Sequence, residues 1–295
     1  MFSTTLIFRA RRLVTLLALV SLASCSGGGC GNCAIPPFNG AAVGAGGPVI
    51  PGVTVAPIPV AIATLAPGAT PAAAALTCAQ NAITGAAVPL GTAFSFAVLA
   101  GSTVTNSGPT VVTGDLGVSP GTAITGFTGI APGGPGTVTG GSIHSADPVA
   151  AQAQLDLTTA YNNAAGRVNP TAVPADIGGM VIAPGVYKAP VSLAITGNVT
   201  LDGQNNPNSV FIFQAASTLT TSVNSTVTLI NLANACNVFW QVGSSATLNT
   251  SSAFNGTILA LASISLGTGA VVNGRLLART AAVTLLTNVV TKTGP

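Results

Sequence analysis

The sequence predicts a mainly β protein, an irregular right-handed β-solenoid with one long α-helix packed alongside. Three observations predict it. Short apolar segments recur at solenoid spacing through the second half. One Ala-rich segment carries both helix-start and helix-stop signals. Charged residues make up only 4% of the chain, against roughly 25% in ordinary globular proteins.

With 295 residues the chain could hold two domains, but its first third is too poor in large apolar residues to build a sizeable core. One folded domain is therefore expected over residues 89–295, preceded by a signal segment at 1–24 and a tether at 25–88.

Arg9, Arg11 and Arg12 precede an apolar stretch from Leu13 to Leu22. That stretch is too short to span a bilayer and suits the hydrophobic region of a secretory signal. Leu22-Ala23-Ser24-Cys25 follows and resembles a bacterial lipobox, in which Cys25 becomes the lipidated first residue. The alternative is ordinary cleavage near Ser24 with Cys25 an incidental thiol. By the same resemblance, Ser26 in place of Asp favours outer-membrane sorting. The expected destination is the outer membrane or cell surface, or release outside the cell.

Cys30 and Cys33 form a Cys-x-x-Cys pair without a second pair or a nearby histidine, so a local disulfide is favoured over a zinc or redox site. Cys78 and Cys236 can form another bridge after export, but spacing does not settle how the four cysteines pair. From Ser26 to about Val88 the chain is mostly Gly, Pro, Ala and Val, a composition that buries too few large side chains to offset ordering entropy. It reads as a tether.

Removing the three N-terminal arginines leaves five basic against five acidic residues from the formal charge of +3. A neutral chain has no means of releasing counterions from phosphate backbones, so nucleic acid is set aside as a partner. The 48% of hydrophobic residues rests largely on Ala and Val, and Thr, Ser, Asn and Gln must keep the surface wet.

The solenoid is read from Val210 onward. Phe211-Ile212-Phe213-Gln214, Phe239-Trp240-Gln241-Val242, Ile258-Leu259-Ala260-Leu261 and Leu276-Leu277-Ala278-Arg279 behave as successive apolar strands, with the later starts about 18 to 20 residues apart. Each is followed by a second element: Thr218-Leu219-Thr220-Thr221, Thr247-Leu248-Asn249-Thr250, Ser265-Leu266-Gly267-Thr268 and Thr284-Leu285-Leu286-Thr287. Stacked in parallel, their leucines would form an inward ladder and their hydroxyl residues outward columns. Gly243, Asn255-Gly256, Gly267 and Asn273-Gly274 supply turn chemistry at the corners.

The helix is expected from Asp147-Pro148 to about Arg167, with Asp147 as N-cap, Pro148 at the first position and Gly166 near the end. Leu157, Ala160, Tyr161 and Ala164 share one face at helical spacing and suit packing along a sheet.

Several stretches resemble the bacterial and microbial-eukaryote ice-binding proteins. They are Leu90-Gly91-Thr92-Ala93, Phe96 to Asn106, Gly114 to Gly121, Pro184-Gly185-Val186-Tyr187, Val210 to Gln214 and Asn237 to Gly243, within a region from about Leu90 to Lys292. The resemblance implies an irregular three-faced β-solenoid with a parallel helix, whose N-terminal coils sit at one end while the chain returns past the helix. Some members insert a capping subdomain before the helix. Here Gly126 to Ala146 is short and Gly-rich, so the cap is expected to be absent or vestigial, leaving an end where strands could pair with another molecule.

The resemblance also implies that one flat face of small and hydroxyl residues adsorbs to ice. Ice presents a lattice of water oxygens without charge, and a stiff β-branched side chain with a methyl and a hydroxyl can order water on a matching grid. The expected columns are Thr218, Thr247, Ser265, Thr284 and Thr221, Thr250, Thr268, Thr287, with Thr220 and Asn249 beside them. Leu286 interrupts the pattern. The expected partner is an ice crystal surface, met by a monomer that needs no cofactor and touches membrane only through its anchor.

Two rivals remain. Solenoid lyases and hydrolases need carboxylate clusters, whereas Asp115, Asp147, Asp156, Asp176 and Asp202 are scattered, with Asp147 placed to cap the helix and Asp115 and Asp202 beside turns. His144 has no evident triad or metal companions and reads as a turn residue, and Trp240 and Phe239 read as core anchors. No enzymatic activity is therefore expected. A cell-surface adhesin or structural solenoid binding a polymer is the alternative, and it would tolerate irregular columns.

Overall fold

The computed structural model describes residues 87–294. The expected signal segment, Cys25 and the expected tether up to residue 86 lie outside the described residues, and Val88, expected in the tether, is buried at 4% exposure. Parallel strands stack into a solenoid with three faces, and one helix runs along the first of them.

The face beneath the helix contains Gly185–Ala189, Phe211–Ala215, Val238–Val242, the second halves of Ala253–Ala260 and Val271–Ala278, and Phe96–Ala100, Asp115–Val118 and Ile143–Ser145. Phe96–Ala100, Phe211–Ala215 and Val238–Val242 are buried at every position because both sides are covered there, as in parallel sheets packed under helices. Inward, Tyr187, Phe213 and Trp240 stack in register, with ring centroids 5.4 and 4.1 Å apart. Outward, Leu99, Leu277, Leu259, Gln241 and Gln214 form one line beneath the helix. Trp240 is thus an inner anchor, while Phe239 packs toward the helix.

Helix α1, Pro148–Ala165, begins as its sequence directs: the Asp147 side chain accepts from the Ala150 N–H at 2.8 Å. Ala150, Ala153, Leu157, Ala160, Tyr161 and Ala164 form its buried stripe. Its last carbonyls find a partner on the sheet, where the buried Gln214 Nε2 donates to Ala164, Ala165 and Arg167 carbonyls at 2.9, 3.2 and 3.1 Å. That sheet-borne cap answers the need of a helix end for acceptor satisfaction.

The second face is a seven-stranded sheet, and the third is formed by Asn198–Asp202, Thr226–Ile230, the first halves of Ala253–Ala260 and Val271–Ala278, Val289–Thr291, Val111–Thr113 and Thr137–Thr139, with Val181–Ile182 at one end. The two eight-residue strands run across the corner from the third face to the first. Glycine is required there: Gly256 and Gly274 have φ of 113° and 155°, and a Cβ on Gly274 would sit 1.9 Å from the Gly256 carbonyl oxygen.

The chain path follows the order that the resemblance implies. The first coil is wedged between the last coil and the second, with Val98 registered on both Leu276 and Leu116. Gly126 to Ala146, where a cap was at issue, builds the end coil through Thr137–Thr139 and Ile143–Ser145. His144 is accordingly a strand residue rather than a turn residue, with Nδ1 2.6 Å from Asp147 Oδ2 and its ring against Phe96.

Buried Arg275 ties the first coil of the described domain to its last residues. Its guanidinium donates to the Phe94 and Thr293 carbonyls at 2.9 and 2.7 Å and lies 4.2 Å from the Phe94 ring centroid. Burial lowers its pKa to about 10. Cys236 is disulfide-bonded. The other four cysteines, its possible partners, all lie outside the described residues.

Candidate functional site

The seven-stranded face is built from triplets in which an apolar residue separates two small or hydroxyl residues. Leu193, Leu219, Ala246, Ile264, Val283, Val104 and Ile124 point inward in one line and are all buried. The next residue of each strand points outward, and these residues stack as Ala194, Thr220, Thr247, Ser265, Thr284, Thr105 and Thr125. Alternation alone produces both lines, since successive strand side chains point to opposite faces.

The residues before the inward line make a second outward column: Ser192, Thr218, Ser245, Ser263, Ala282, Thr103 and Ala123. Hydroxyls bridge rungs within both columns: Thr218 to Ser192 at 2.9 Å, Ser263 to Ser245 at 2.9 Å and Thr105 to Thr284 at 3.4 Å. Rungs are roughly 4.7–4.9 Å apart and the two columns roughly 6.7 Å apart along the strand. No ionisable side chain occupies either column.

The structure brings Thr220, Thr247, Ser265 and Thr284 into one column and moves Thr218 into the neighbouring one. Sequence stacking had aligned the four copies on their leucines. In the fold Leu219 sits on Ala246 instead, a shift of two residues that preserves facing but changes partners.

Thr221 is corrected outright. It is buried at 2% exposure, with its hydroxyl 2.8 Å from Ser252 Oγ and accepting from the Asn249 N–H at 2.9 Å. Asn249 returns a bond from Nδ2 to the Thr221 carbonyl at 2.7 Å. Both residues brace the turn that leaves this face. A buried hydroxyl is tolerated there because it is fully partnered.

Thr250, Thr268 and Thr287 are exposed but lie in the corner turns rather than on strands, with Thr287 at a φ of 54°. They flank the grid as a separate line. Leu286 pairs with Ser107 beyond the two main columns, so it does not interrupt them. Sequence reasoning missed Thr105, Thr125 and Ala194, together with the second column apart from Thr218. The signal was available as hydroxyl–apolar–hydroxyl alternation in Thr103-Val104-Thr105 and Ser263-Ile264-Ser265.

The carboxylates are occupied elsewhere. Asp115 accepts from the Ser142 N–H, Asp156 from the Thr92 N–H and hydroxyl, Asp176 from the Gly178 and Thr196 N–H groups, and Asp202 from the Gln204 N–H. The Ala150 N–H bond lowers the Asp147 pKa. Burial works to raise that of Asp156, but the Thr92 bonds outweigh it, while the Thr196 bond lowers that of Asp176. Among the described residues no group of three or more His, Cys, Asp or Glu could hold a metal ion.

Comparison with known proteins agrees with this geometry. The chain is 49% identical over 201 residues to an ice-binding protein of Nostoc sp. (strain HG1), covering 68% of this chain and 72% of that one. It is 38% identical over 218 residues to an ice-binding protein of Flavobacterium frigoris (strain PS1), covering 69% and 76%. Among solved structures, it superimposes on the ice-binding protein of the Antarctic ascomycete Antarctomyces psychrotrophicus with a TM-score of 0.67 and 42% identity, over 71% of this chain and all of that one. An ice-binding protein from an Antarctic biological consortium gives a TM-score of 0.66 at 47% identity, over 72% of this chain and 93% of that one. The sequence model described as Ice-binding-like matches residues 98–291, and with a helix-backed solenoid carrying an uncharged hydroxyl grid, the chain belongs to the ice-binding-like family.

Proposed function

We propose that this protein adsorbs to ice through the seven-stranded hydroxyl face and thereby restrains ice growth and recrystallisation, without catalysis. The observation that carries this reading is the unbroken register of two small, uncharged columns over seven rungs. A rigid grid loses little side-chain entropy on contact, and stacked strands repeat at one fixed spacing. The corner threonines Thr250, Thr268 and Thr287 extend its edge. An adhesin face has no need of such regularity, and the same register therefore favours ice over a polymer.

The test is replacement of Thr247 and Ser265 by Tyr, two bulky intrusions at adjacent rungs. Wild-type protein is expected to facet single ice crystals and arrest grain growth at micromolar concentration, and the variant to lose both with unchanged circular dichroism. Full activity in the folded variant would remove this face from the mechanism.

We further propose that the protein is exported and acts as a monomer tethered through a lipid on Cys25. The basic and apolar N-terminal segments support this, and the disulfide at Cys236 suits an oxidising compartment. Metabolic labelling with a fatty-acid analogue is expected to mark wild type and not Cys25→Ser. Equal labelling of both would place the anchor elsewhere.

A further inference from the structure

We infer that the third solenoid face is a second ice-adsorbing surface, an inference that rests on the function proposed above. Its outward residues again form two columns. In one, Thr113, Thr291, Asn273, Asn255, Thr228 and Thr200 succeed one another, every position a Thr or Asn. In the other, Val271, Val289 and Val111 occupy three consecutive rungs and are 44%, 42% and 37% exposed. Three adjacent valines facing water are unexpected on a sheet free to choose polar residues.

Valine has the shape of threonine with a methyl in place of the hydroxyl, and both are held stiffly at χ1. Thr137 and Thr226 also occur in the valine column, with Ala253 between Val271 and Thr226 and Asn198 at one end, so β-branched side chains fill five of its seven rungs. Bonds between rungs hold both columns. Asn273 donates to Asn255 at 2.9 Å, the Thr113 and Thr139 hydroxyls lie 3.2 Å apart, and Thr226 and Thr228 donate to Asn198 at 2.6 and 2.7 Å. The result is a pre-ordered surface with no charged side chain in either column.

The occupant follows from charge and area. An uncharged, rigid strip matches an uncharged lattice and offers no ionic handle to an acidic or basic partner. Seven rungs at roughly 4.8 Å span about 29 Å. At a width of roughly 13 Å the strip is about 400 Å², half of the roughly 800 Å² that each partner buries in a stable protein complex. A second copy is therefore poorly served, whereas the dimensions equal those of the hydroxyl face next to it. The exposed line Thr250, Thr268 and Thr287 lies on the corner between the two faces and makes them continuous.

The experiment images fluorescently labelled full chain on a single-crystal ice hemisphere. Wild type is compared with a third-face variant (Val271→Tyr with Thr291→Tyr), the hydroxyl-face variant (Thr247→Tyr with Ser265→Tyr) and all four changes together. Val289→Lys, a single change at an exposed position, serves if the third-face pair fails to fold. The third-face variant is expected to lose one set of labelled planes and the hydroxyl-face variant another, with none left when all four are combined. A third-face variant that labels the same planes as wild type overturns the inference. So does a hydroxyl-face variant that labels nothing, although the proposed function then stands. Unlabelled ice with wild type would sink both. A wild-type dimer in sedimentation that Val289→Lys converts to monomer would reassign the face to a second copy.

Discussion

Thr220 and Thr221 are neighbours in sequence and face opposite ways. Thr220 stands on the outward column and tolerates bulk without disturbing the core, whereas Thr221 lies inside with its hydroxyl bound to Ser252 and Asn249. Thr221→Val is expected to cost about 1–3 kcal/mol by leaving buried partners unsatisfied, seen as a lower Tm, while ice activity per folded molecule is unchanged. Thr220→Tyr should do the reverse. Arg275→Met deletes three charge-assisted bonds and strands the Phe94 and Thr293 carbonyls. A loss of about 3 kcal/mol or more is expected, or a fall in Tm of roughly 2–4 °C per kcal/mol. A melting curve unchanged from wild type would show that the ends are held by other contacts.

Among the elements, the helix was the most legible in the sequence because its signals are local. Asp147, Pro148 and the 3.6-residue stripe need no partner to be recognised, and the observed Pro148–Ala165 follows them closely. Asp147→Ala is expected to cost about 1 kcal/mol through loss of the cap, measured by denaturant unfolding. The other end of the helix was not legible. Gln214, nearly fifty residues further along the chain, holds its last carbonyls. Gln214→Leu should leave the Ala165 and Arg167 carbonyls without this donor and destabilise by about 1–3 kcal/mol, with the loss showing as faster amide exchange after the last turn. The strands behave differently from the helix. Their alternation was readable, but the corner glycines are obligatory only because two rungs meet there, as at Gly274 against Gly256.

For the molecule as a whole, few titrating groups, with five basic residues against five acidic ones in residues 87–294, predict a stability that is flat over most of the pH scale and weakly sensitive to salt. The exception lies in acid. Asp147, Asp156 and Asp176 have folded pKa values below the ordinary 3.8. Their contribution is fully present above that value and is lost as pH falls through the lowered ones. Tm is therefore expected to hold from neutrality to about pH 4 and to decline below it. A decline that began near pH 6 would show that these three carboxylates do not control stability in acid.

Local sequence was sufficient for the class of fold, the capped start of the helix and the uncharged hydroxyl character of the surface, because each depends on neighbours within a few residues. It could not decide which rung meets which. Strand side chains repeat every two residues, so a slip of two keeps every residue on its proper face and moves Thr218 from one column to the next. Bonds between rungs, such as Thr221 to Ser252, distinguish the register. The placing of Phe96–Ala100 between Val271–Ala278 and Asp115–Val118 is decided the same way. Contacts between residues well over a hundred positions apart select one stacking order from several that short-range pattern leaves equivalent, and that order completes the hydroxyl face with Thr105 and Thr125.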